Sequence, residues 1–263
     1  MAYHPAPLAA LLLLLTILIS LVGSSPITQL GEQIVLGGVE DSVPKRPGNG
    51  GEPRYEHGEL PPLQDTIGWV DPRLNGGRFL DFTTKRLGEP LNVIISSLSD
   101  PYVLTETGLH SYAKSIGFSE ECFGMHYGHL HEADLGDGLG RKPEVYLARQ
   151  HYVPVFGTCW ESVRGGQHFR AWKQNGTIAN SGAWFLGASK EKDSSRNHKI
   201  TEDGYNLGRD FVVERATAGS RWKGVWWKAE VQWHDGLLQK GRRGVNHGIP
   251  QDGRVAVLIV HRL

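Results

Sequence analysis

Residues 165–176 read GGQHFRAWKQNG, and residues 183–188 read AWFLGA. The two segments are predicted to be neighbouring strands, joined by a loop that opens on Asn-Gly, a dipeptide that favours tight turns. Successive side chains of a strand point to opposite faces, so His168, Arg170 and Trp172 are expected to share one face. Both faces of the second segment are apolar, which is typical of an interior strand. We therefore take this pair of strands as the centre of the fold.

Three further segments have the pattern of strands. Residues 90–98 and 254–261 are apolar runs rich in β-branched residues, as expected of strands that are covered on both faces. Residues 221–234 alternate between apolar and more polar side chains, which predicts a half-buried strand. This interpretation places Trp222 and Trp226 on the more polar, solvent-facing side of the strand.

Two segments have the spacing of amphipathic helices. The first is predicted over residues 109–116, where apolar residues recur at i, i+3, i+4 and i+7 and Gly117 supplies the end. The second is predicted over residues 206–218. The order is thus strand, helix, strand, strand, helix, strand, strand, whose first six elements follow the split βαβ sandwich. We predict an α+β fold, an antiparallel sheet with two helices on one face and a long loop insertion over residues 119–165.

Charge limits the classes of function. The 263 residues carry 28 Lys and Arg against 28 Asp and Glu, so the formal net charge is zero. A general nucleic-acid binder needs a basic excess to neutralise phosphates, so no nucleic-acid partner is expected. The charges are uneven along the chain, because residues 219–263 are basic and residues 119–140 are acidic.

The beginning of the chain predicts export. Residues 8–22 are a mostly apolar run of about fifteen residues followed by small residues, the pattern of a secretory signal peptide. The alternative, a membrane anchor, needs about 20 apolar residues to span the hydrocarbon core. We predict a signal peptide over residues 1–24, a disordered Pro- and Gly-rich tail over 25–66, and a single domain over 67–263. The protein is expected to be secreted, extracellular and without a membrane span after signal cleavage.

Cys122 and Cys159 are the two cysteines of the chain. An even pair in an oxidising compartment predicts one disulfide bond. The alternative is a nucleophilic cysteine with His126 or His168 as its base. Asn175 opens an Asn-Gly-Thr sequon between the central strands, where we predict a surface glycan.

The segment 126–137 contains three histidines and three carboxylates. One interpretation is a metal site, because His129 and His131 converge from an extended segment and Asp134 or Asp137 supplies oxygen ligands. The other is a solvated acidic loop. The spacing matches no known metal motif, so no metal or other cofactor is predicted, and these four residues are weak candidate ligands.

Short motifs spread over residues 88–217 carry a family resemblance. They are GEPLNVII (88–95), GF (117–118), HFRAW (168–172), WFLGAS (184–189), HKI (198–200) and RDF (209–211). With them the chain resembles uncharacterised small secreted proteins of filamentous and mushroom-forming fungi. More distantly it is similar to the LssY C-terminal domain, which in bacteria lies beside membrane phosphatase-like segments. Neither family has an established activity, so the resemblance implies a secreted domain but no reaction.

Two hypotheses about function remain open. The first is a secreted binding or interaction module for a carbohydrate or an extracellular protein partner. Trp172, Trp222 and Trp226 would present ring faces to the ligand, with Lys228 beside them as a hydrogen-bond donor. The alternative is that these tryptophans only pack under loops. We expect a monomer.

The second hypothesis is a hydrolase acting on a phosphate or other anionic ester. His168 would be the general acid or base, Arg170 would bind the anion, and Asp210 or His198 would orient the histidine. The alternative is a structural His-Arg pair, because the chain has no nucleophile elbow and no phosphate-binding loop. A concave pocket containing His168, Arg170 and Asp210 would favour chemistry, whereas a flat aromatic strip would favour binding.

Overall fold

The computed structural model describes residues 68–122, 129–150 and 158–263. The predicted signal peptide and tail lie outside the described residues, and so does His126. Within the described residues, no helix is both long enough and apolar enough to cross a membrane.

The described residues form ten strands and three α-helices. In chain order these are β1 (Val93–Ile95), α1 (Glu106–Ser115), β2 (Phe118–Ser119), β3 (Glu132–Asp134), β4 (Arg141–Pro143), β5 (Tyr146–Gln150), α2 (Cys159–Arg164), β6 (Gly166–Lys173), β7 (Trp184–Glu191), α3 (Gly204–Ala218), β8 (Ser220–Trp222), β9 (Val225–His234) and β10 (Val255–Arg262). Short 3-10 helices cover Pro72–Asn75, Ser194–Arg196 and Asn246–Gly248.

Eight of the strands form one sheet in the order β2-β5-β6-β7-β1-β10-β9-β8, and β3 and β4 form a separate hairpin. Strands β6 and β7 pair antiparallel over their whole length, as predicted for the centre of the fold. The α+β class is confirmed, but the sheet is not wholly antiparallel, because β1 and β10 pair in parallel. Strand β7 lies between β1 and β6, as the split βαβ sandwich requires. In that fold β9 would be the other neighbour of β1, but here β10 occupies that position.

Helices α1 and α3 cover one face of the sheet. Leu109 and Tyr112 of α1 and Val212 and Ala216 of α3 pack into one core with apolar residues of β1, β6, β7, β9 and β10. Helix α1 begins where the Thr105 hydroxyl accepts a hydrogen bond from the backbone N–H of Gly108 at 3.0 Å. It ends before Gly117, whose φ of 92° suits a residue without a side chain. The predicted end of this helix is confirmed.

Loops cover the central part of the other face. A second core lies beneath them and contains Trp69, Phe79, Leu91, Ile94, Ala133, Leu135, Trp172, Ala183, Phe185, Leu238, Val255 and Val257. Trp172 is 0% exposed there. Its ring is therefore part of the core and cannot belong to an exposed binding surface, which corrects that prediction.

Residues 119–165 are more regular than the predicted loop insertion. Strand β5 extends the sheet by pairing with β6, and β2 pairs with β5. The predicted disulfide is confirmed, since Cys122 and Cys159 are bonded at 2.03 Å. The alternation in β5 escaped prediction because its loop-facing positions include Arg149, a residue that rarely lies inside a protein.

Candidate functional site

One end of the loop-covered sheet face is polar and buried. The strand registers place Arg149 of β5, His168 of β6 and Ser189 of β7 side by side on this face. Loop residues close over them. We call the whole group the polar cluster; it comprises Asp81, Glu89, Glu121, His131, Glu144, Arg149, Glu161, His168, Arg170, Glu191, His198 and His247.

Arg149 is bonded to three carboxylates in this cluster. Its Nε donates to Glu121 Oε1 at 2.9 Å and its Nη1 to Glu191 Oε2 at 2.6 Å, while both carboxylate oxygens of Glu161 lie 3.4 Å from Nη1. The side chains of Arg149 and Glu161 are 8% and 0% exposed. Burial raises the pKa of Glu161 to about 7, even though the Arg149 charge lowers it. Arg149 therefore neutralises this part of the cluster only incompletely.

Glu191 lies between two imidazoles. Its Oε1 is 3.5 Å from His168 Nδ1 and its Oε2 is 3.5 Å from His198 Nδ1. Burial acts to raise the pKa of Glu191, but His168, His198 and Arg149 together hold it well below its usual range. His168 is only 1% exposed, and burial lowers its pKa to about 4, so it is neutral near pH 7. The nearby carboxylate of Glu191 raises the pKa of His198.

Arg170 forms an ion pair with a carboxylate inside the protein. Its Nη1 donates to Glu144 Oε1 at 2.5 Å, and the other oxygen of Glu144 accepts a hydrogen bond from the backbone N–H of His131 at 3.3 Å. A guanidinium held in this way does not face an external anion. The predicted role of Arg170 as an anion-binding residue therefore finds no support in the geometry.

Asp81, Glu89 and His131 form a second group where three loops meet. Asp81 Oδ2 lies 2.8 Å from His131 Nδ1. One ligand atom from each of the three residues lies within 4.8 Å of the other two, and Glu161, Glu191 and His198 form another such triad. Burial raises the pKa of Asp81 and the charge of Glu89 adds to this, against the hydrogen bond of His131.

The four ligands predicted in segment 126–137 do not come together. His129 is exposed. Asp134 Oδ1 accepts a hydrogen bond from the backbone of Gly136 at 3.0 Å, and the buried carboxylate of Asp137 binds the ammonium group of Lys142. Of the four, His131 alone joins a triad with ligand spacing among the described residues.

Asp210 does not orient His168. It lies on α3, on the helix-covered side of the sheet, is 58% exposed and pairs with Arg209 at 2.8 Å. Glu191 takes the position beside His168 instead, with His198 on its other oxygen. The hydrolase hypothesis stays a prediction that the geometry does not favour, because six carboxylates and two guanidinium groups make the cluster repel an anion.

A shallow pocket opens beside the polar cluster, but it does not contain the predicted catalytic residues. Its volume is about 280 Å³, and it is lined by Glu120, Glu121, Leu130, Glu144, Val145, Tyr146 and Leu147. Three of these side chains are acidic. The pocket is therefore also a poor receptor for a phosphate or another anionic ester.

The predicted binding residues lie in different places. The turn at Lys223 and Gly224, both with positive φ, reverses the chain, so Trp222 pairs with Val225 and faces the helix side. The prediction that Trp222 shares a face with Trp226 was therefore wrong. Trp226 is 51% exposed, and Lys228 follows it on the same face.

Trp226 belongs to a part of the sheet face that the described loops leave exposed. Arg221 pairs with Trp226 across β8 and β9, and its guanidinium lies 5.1 Å from the centre of the ring. His261 pairs with Lys228 across β9 and β10. We call these residues, with Glu230, the tryptophan strip.

Sequence reasoning missed most members of the polar cluster. They are Asp81, Glu89, Glu121, Glu144, Arg149, Glu161, Glu191 and His247. One of them had a usable signal, because alternation along β7 places Glu191 two residues from Ser189, on the face that carries His168. The others lie on loops or short elements whose facing direction no local pattern gives.

The fold and these side chains define an α+β protein with a buried polar cluster on one part of a sheet face and an exposed tryptophan strip on another. No protein-family model, no curated protein and no solved structure matches the chain. The resemblance to small secreted fungal proteins and to the LssY C-terminal domain therefore stays a prediction.

Proposed function

We propose that the protein is a secreted binding module that recognises an acidic carbohydrate through the tryptophan strip. The observation that carries this proposal is the half-exposed ring of Trp226 on an uncovered sheet face, with the Arg221 guanidinium 5.1 Å from its centre. An indole face stacks on the apolar face of a sugar ring, while neighbouring polar groups bind its hydroxyls. The strip offers both kinds of contact.

The charge of the strip favours an acidic ligand. Arg221, Lys223 and Lys228 are exposed cations on or beside the strip. The carboxylate of Glu230 is paired with His261, whose Nε2 lies 3.6 Å from Glu230 Oε1. The excess of positive charge attracts the carboxylate or sulfate groups of an acidic glycan, and exposed charges of this kind act mainly at low salt.

The shape of the strip favours a polymer. Strands β8, β9 and β10 place the side chains of the tryptophan strip next to one another on one exposed face of the sheet. Successive outward side chains of one strand are about 7 Å apart. A polysaccharide chain lying across the strands would contact several of them at once, whereas a single sugar would contact only one or two.

The disulfide and the sequon are compatible with the secreted part of the proposal. A bonded pair of cysteines persists in oxidising compartments. Asn175 is exposed, as a glycosylation site must be, and its Oδ1 accepts a hydrogen bond from Lys142 at 3.0 Å.

Titration of the protein with polygalacturonate, followed by tryptophan fluorescence and calorimetry, tests the proposal. We expect binding that weakens as salt is added and that Trp226→Ala reduces at least tenfold, about 1.4 kcal/mol. Ile178→Ala is the matched control, because it removes an exposed apolar side chain, 66% exposed, from outside the strip.

Neutral dextran serves as a second probe. Equal affinity for dextran and polygalacturonate would show that binding does not need a negative charge on the carbohydrate. Unchanged affinity in Trp226→Ala would show that the strip is not the binding surface.

A further inference from the structure

Backbone hydrogen bonds at Asp81, Glu89 and His131 close the hairpin loop 80–90 and tie it to the segment that carries His131. The backbone N–H of Asp81 donates to the carbonyl of Glu89 at 2.9 Å, and Phe82 donates to the carbonyl of Glu132, next to His131, at 2.7 Å. Asp81 Oδ1 also accepts a hydrogen bond from the backbone N–H of Glu89 at 2.6 Å. The backbone that carries the three side chains is therefore positioned by structure that does not depend on a ligand.

Gly88 shows how closely the two arms of the hairpin loop 80–90 approach each other. A Cβ atom at this position would lie 1.9 Å from the backbone oxygen of Asp81, which no real side chain tolerates. The backbone of Gly88 also bonds to the third covering loop, donating to Gly244 and accepting from Asn246 at 3.0 and 2.8 Å. This last loop brings His247 to 3.7 Å from Glu89.

The spacing of the side-chain atoms suits a small metal ion. Metal–ligand bonds of 2.0–2.1 Å in a tetrahedral site place neighbouring ligand atoms about 3.3 Å apart. The contact between Asp81 and His131 is 2.8 Å, and one ligand atom from each member of the triad lies within 4.8 Å of the others. Side-chain rotations that move these atoms by about an ångström would complete such a shell.

The arginines of the polar cluster do not fully neutralise the carboxylates of Asp81 and Glu89. Arg149 partly neutralises the carboxylates at one end, and Arg170 is bonded to Glu144. The charges of Arg78 and Arg170 act on Asp81 and Glu89 without a direct ion pair. Within the described residues, the ion pairs of Asp81 and Glu89 are with imidazoles only. Two carboxylates buried this close together need a positive charge between them, because buried charges are paired or coordinate metals.

We propose that Asp81, Glu89 and His131 bind one divalent transition-metal ion, for which Zn²⁺ is the best fit, with His247 at the edge of the site. Carboxylate and imidazole ligands suit Zn²⁺, which binds mixed nitrogen and oxygen sites more tightly than Mn²⁺ or Fe²⁺. The ion would join the three loops that cover the sheet. This site is separate from the tryptophan strip and does not rest on the carbohydrate proposal.

The triad of Glu161, Glu191 and His198 is the natural comparison. It also offers two carboxylates and one imidazole whose ligand atoms lie within 4.8 Å of one another, but the Arg149 guanidinium already lies against both of its carboxylates. A metal ion there would be repelled by a fixed positive charge a few ångströms away. The proposal therefore assigns the ion to one triad and excludes it from the other.

Zn²⁺ titration of the EDTA-treated full chain by calorimetry, with elemental analysis after dialysis, tests the assignment. We expect one Zn²⁺ per chain and a melting temperature that rises by several degrees at saturation. His131→Gln and Glu89→Gln should weaken Zn²⁺ binding at least tenfold. His129→Gln, which changes an exposed histidine two residues away, and Glu161→Gln, in the other triad, should bind Zn²⁺ as the wild type does.

Wild-type protein loaded with Co²⁺ provides a measurement that does not depend on the folding of any variant. Bound Co²⁺ should show the intense visible absorption of a four- or five-coordinate site, and Zn²⁺ should displace it. Absence of this spectrum, wild-type affinity in His131→Gln, or loss of binding in Glu161→Gln would each overturn the proposal.

Discussion

Replacing Arg149 by Met is expected to destabilise the protein strongly. The side chain of Met is unbranched and uncharged and fills the space of the aliphatic part of Arg, so the change removes one guanidinium from between Glu121, Glu161 and Glu191. Arg149 contacts these carboxylates at 2.9, 3.4 and 2.6 Å. The three carboxylates would remain buried without the charge that now neutralises them.

The size of the effect follows from the distances and burial. A unit charge pair at 2.9 Å, the distance from Arg149 to Glu121, attracts by roughly 6 kcal/mol at an effective dielectric constant of 20, but the cost of removing the ions from water offsets much of this. Removing one partner of a buried ion pair costs about 3–5 kcal/mol, because the remaining charge keeps its desolvation penalty. We therefore expect Arg149→Met to lower the free energy of unfolding by about 4 kcal/mol at pH 7. With a urea dependence of about 2.5 kcal/mol per molar, the unfolding midpoint falls by about 1.5 M.

Urea unfolding followed by tryptophan fluorescence and circular dichroism at pH 8 and pH 5 provides the measurement. The loss should be smaller at pH 5, because the carboxylates freed from Arg149 take up protons in the folded state. Arg196→Met is the control, since Arg196 is 67% exposed and lies 4.0 Å from its partner Asp193, so no measurable change is expected. A loss below 1 kcal/mol in Arg149→Met, or one that is equal at both pH values, would refute the reasoning.

Two further predictions concern stability. The folded pKa of Glu161 is raised from 4.5 to about 7, so folding takes up a proton and stability rises as pH falls from 7 to 4.5. The ionised carboxylate therefore costs about 3 kcal/mol at pH 8, and Glu161→Gln should be more stable than the wild type there, with a flatter pH profile in urea unfolding. A profile as steep as that of the wild type would contradict this. Replacing Cys122 and Cys159, 37 residues apart, by Ser should lower the free energy of unfolding by about 4 kcal/mol, and an unchanged thermal midpoint would show that the bridge adds nothing.

The regular elements were predictable where the pattern is local. Trp227 and Ala229 face the core as alternation along residues 221–234 indicates, and the end of α1 follows from Gly117. His168, Arg170 and Trp172 do share a face of an extended strand, as their spacing requires. The disulfide followed from an even number of cysteines. Each of these predictions needs only a few neighbouring residues or, for the disulfide, the number of cysteines.

The candidate sites were harder to predict because they depend on contacts between distant segments. Alternation shows that His168 and Arg170 point the same way, but whether that direction is open to solvent depends on loops that contain Asp81, His131 and Glu144. The strand reading of residues 221–234 ignored the turn at Lys223, so Trp222 was placed on the wrong face. Asp210 was predicted to orient His168, but the two residues lie on opposite sides of the sheet.

The parallel pairing of β1 with β10 has a consequence for how the chain acquires its structure. Val93 is aligned with Ala256, 163 positions further along the chain. Strand β10 lies between β1 and β9, so the β2-β5-β6-β7-β1 part of the sheet and the β8-β9 hairpin cannot be joined until residues 255–262 have been synthesised. Contacts between such distant positions slow folding. The nascent domain would therefore expose the apolar edge of β1 until synthesis reaches β10.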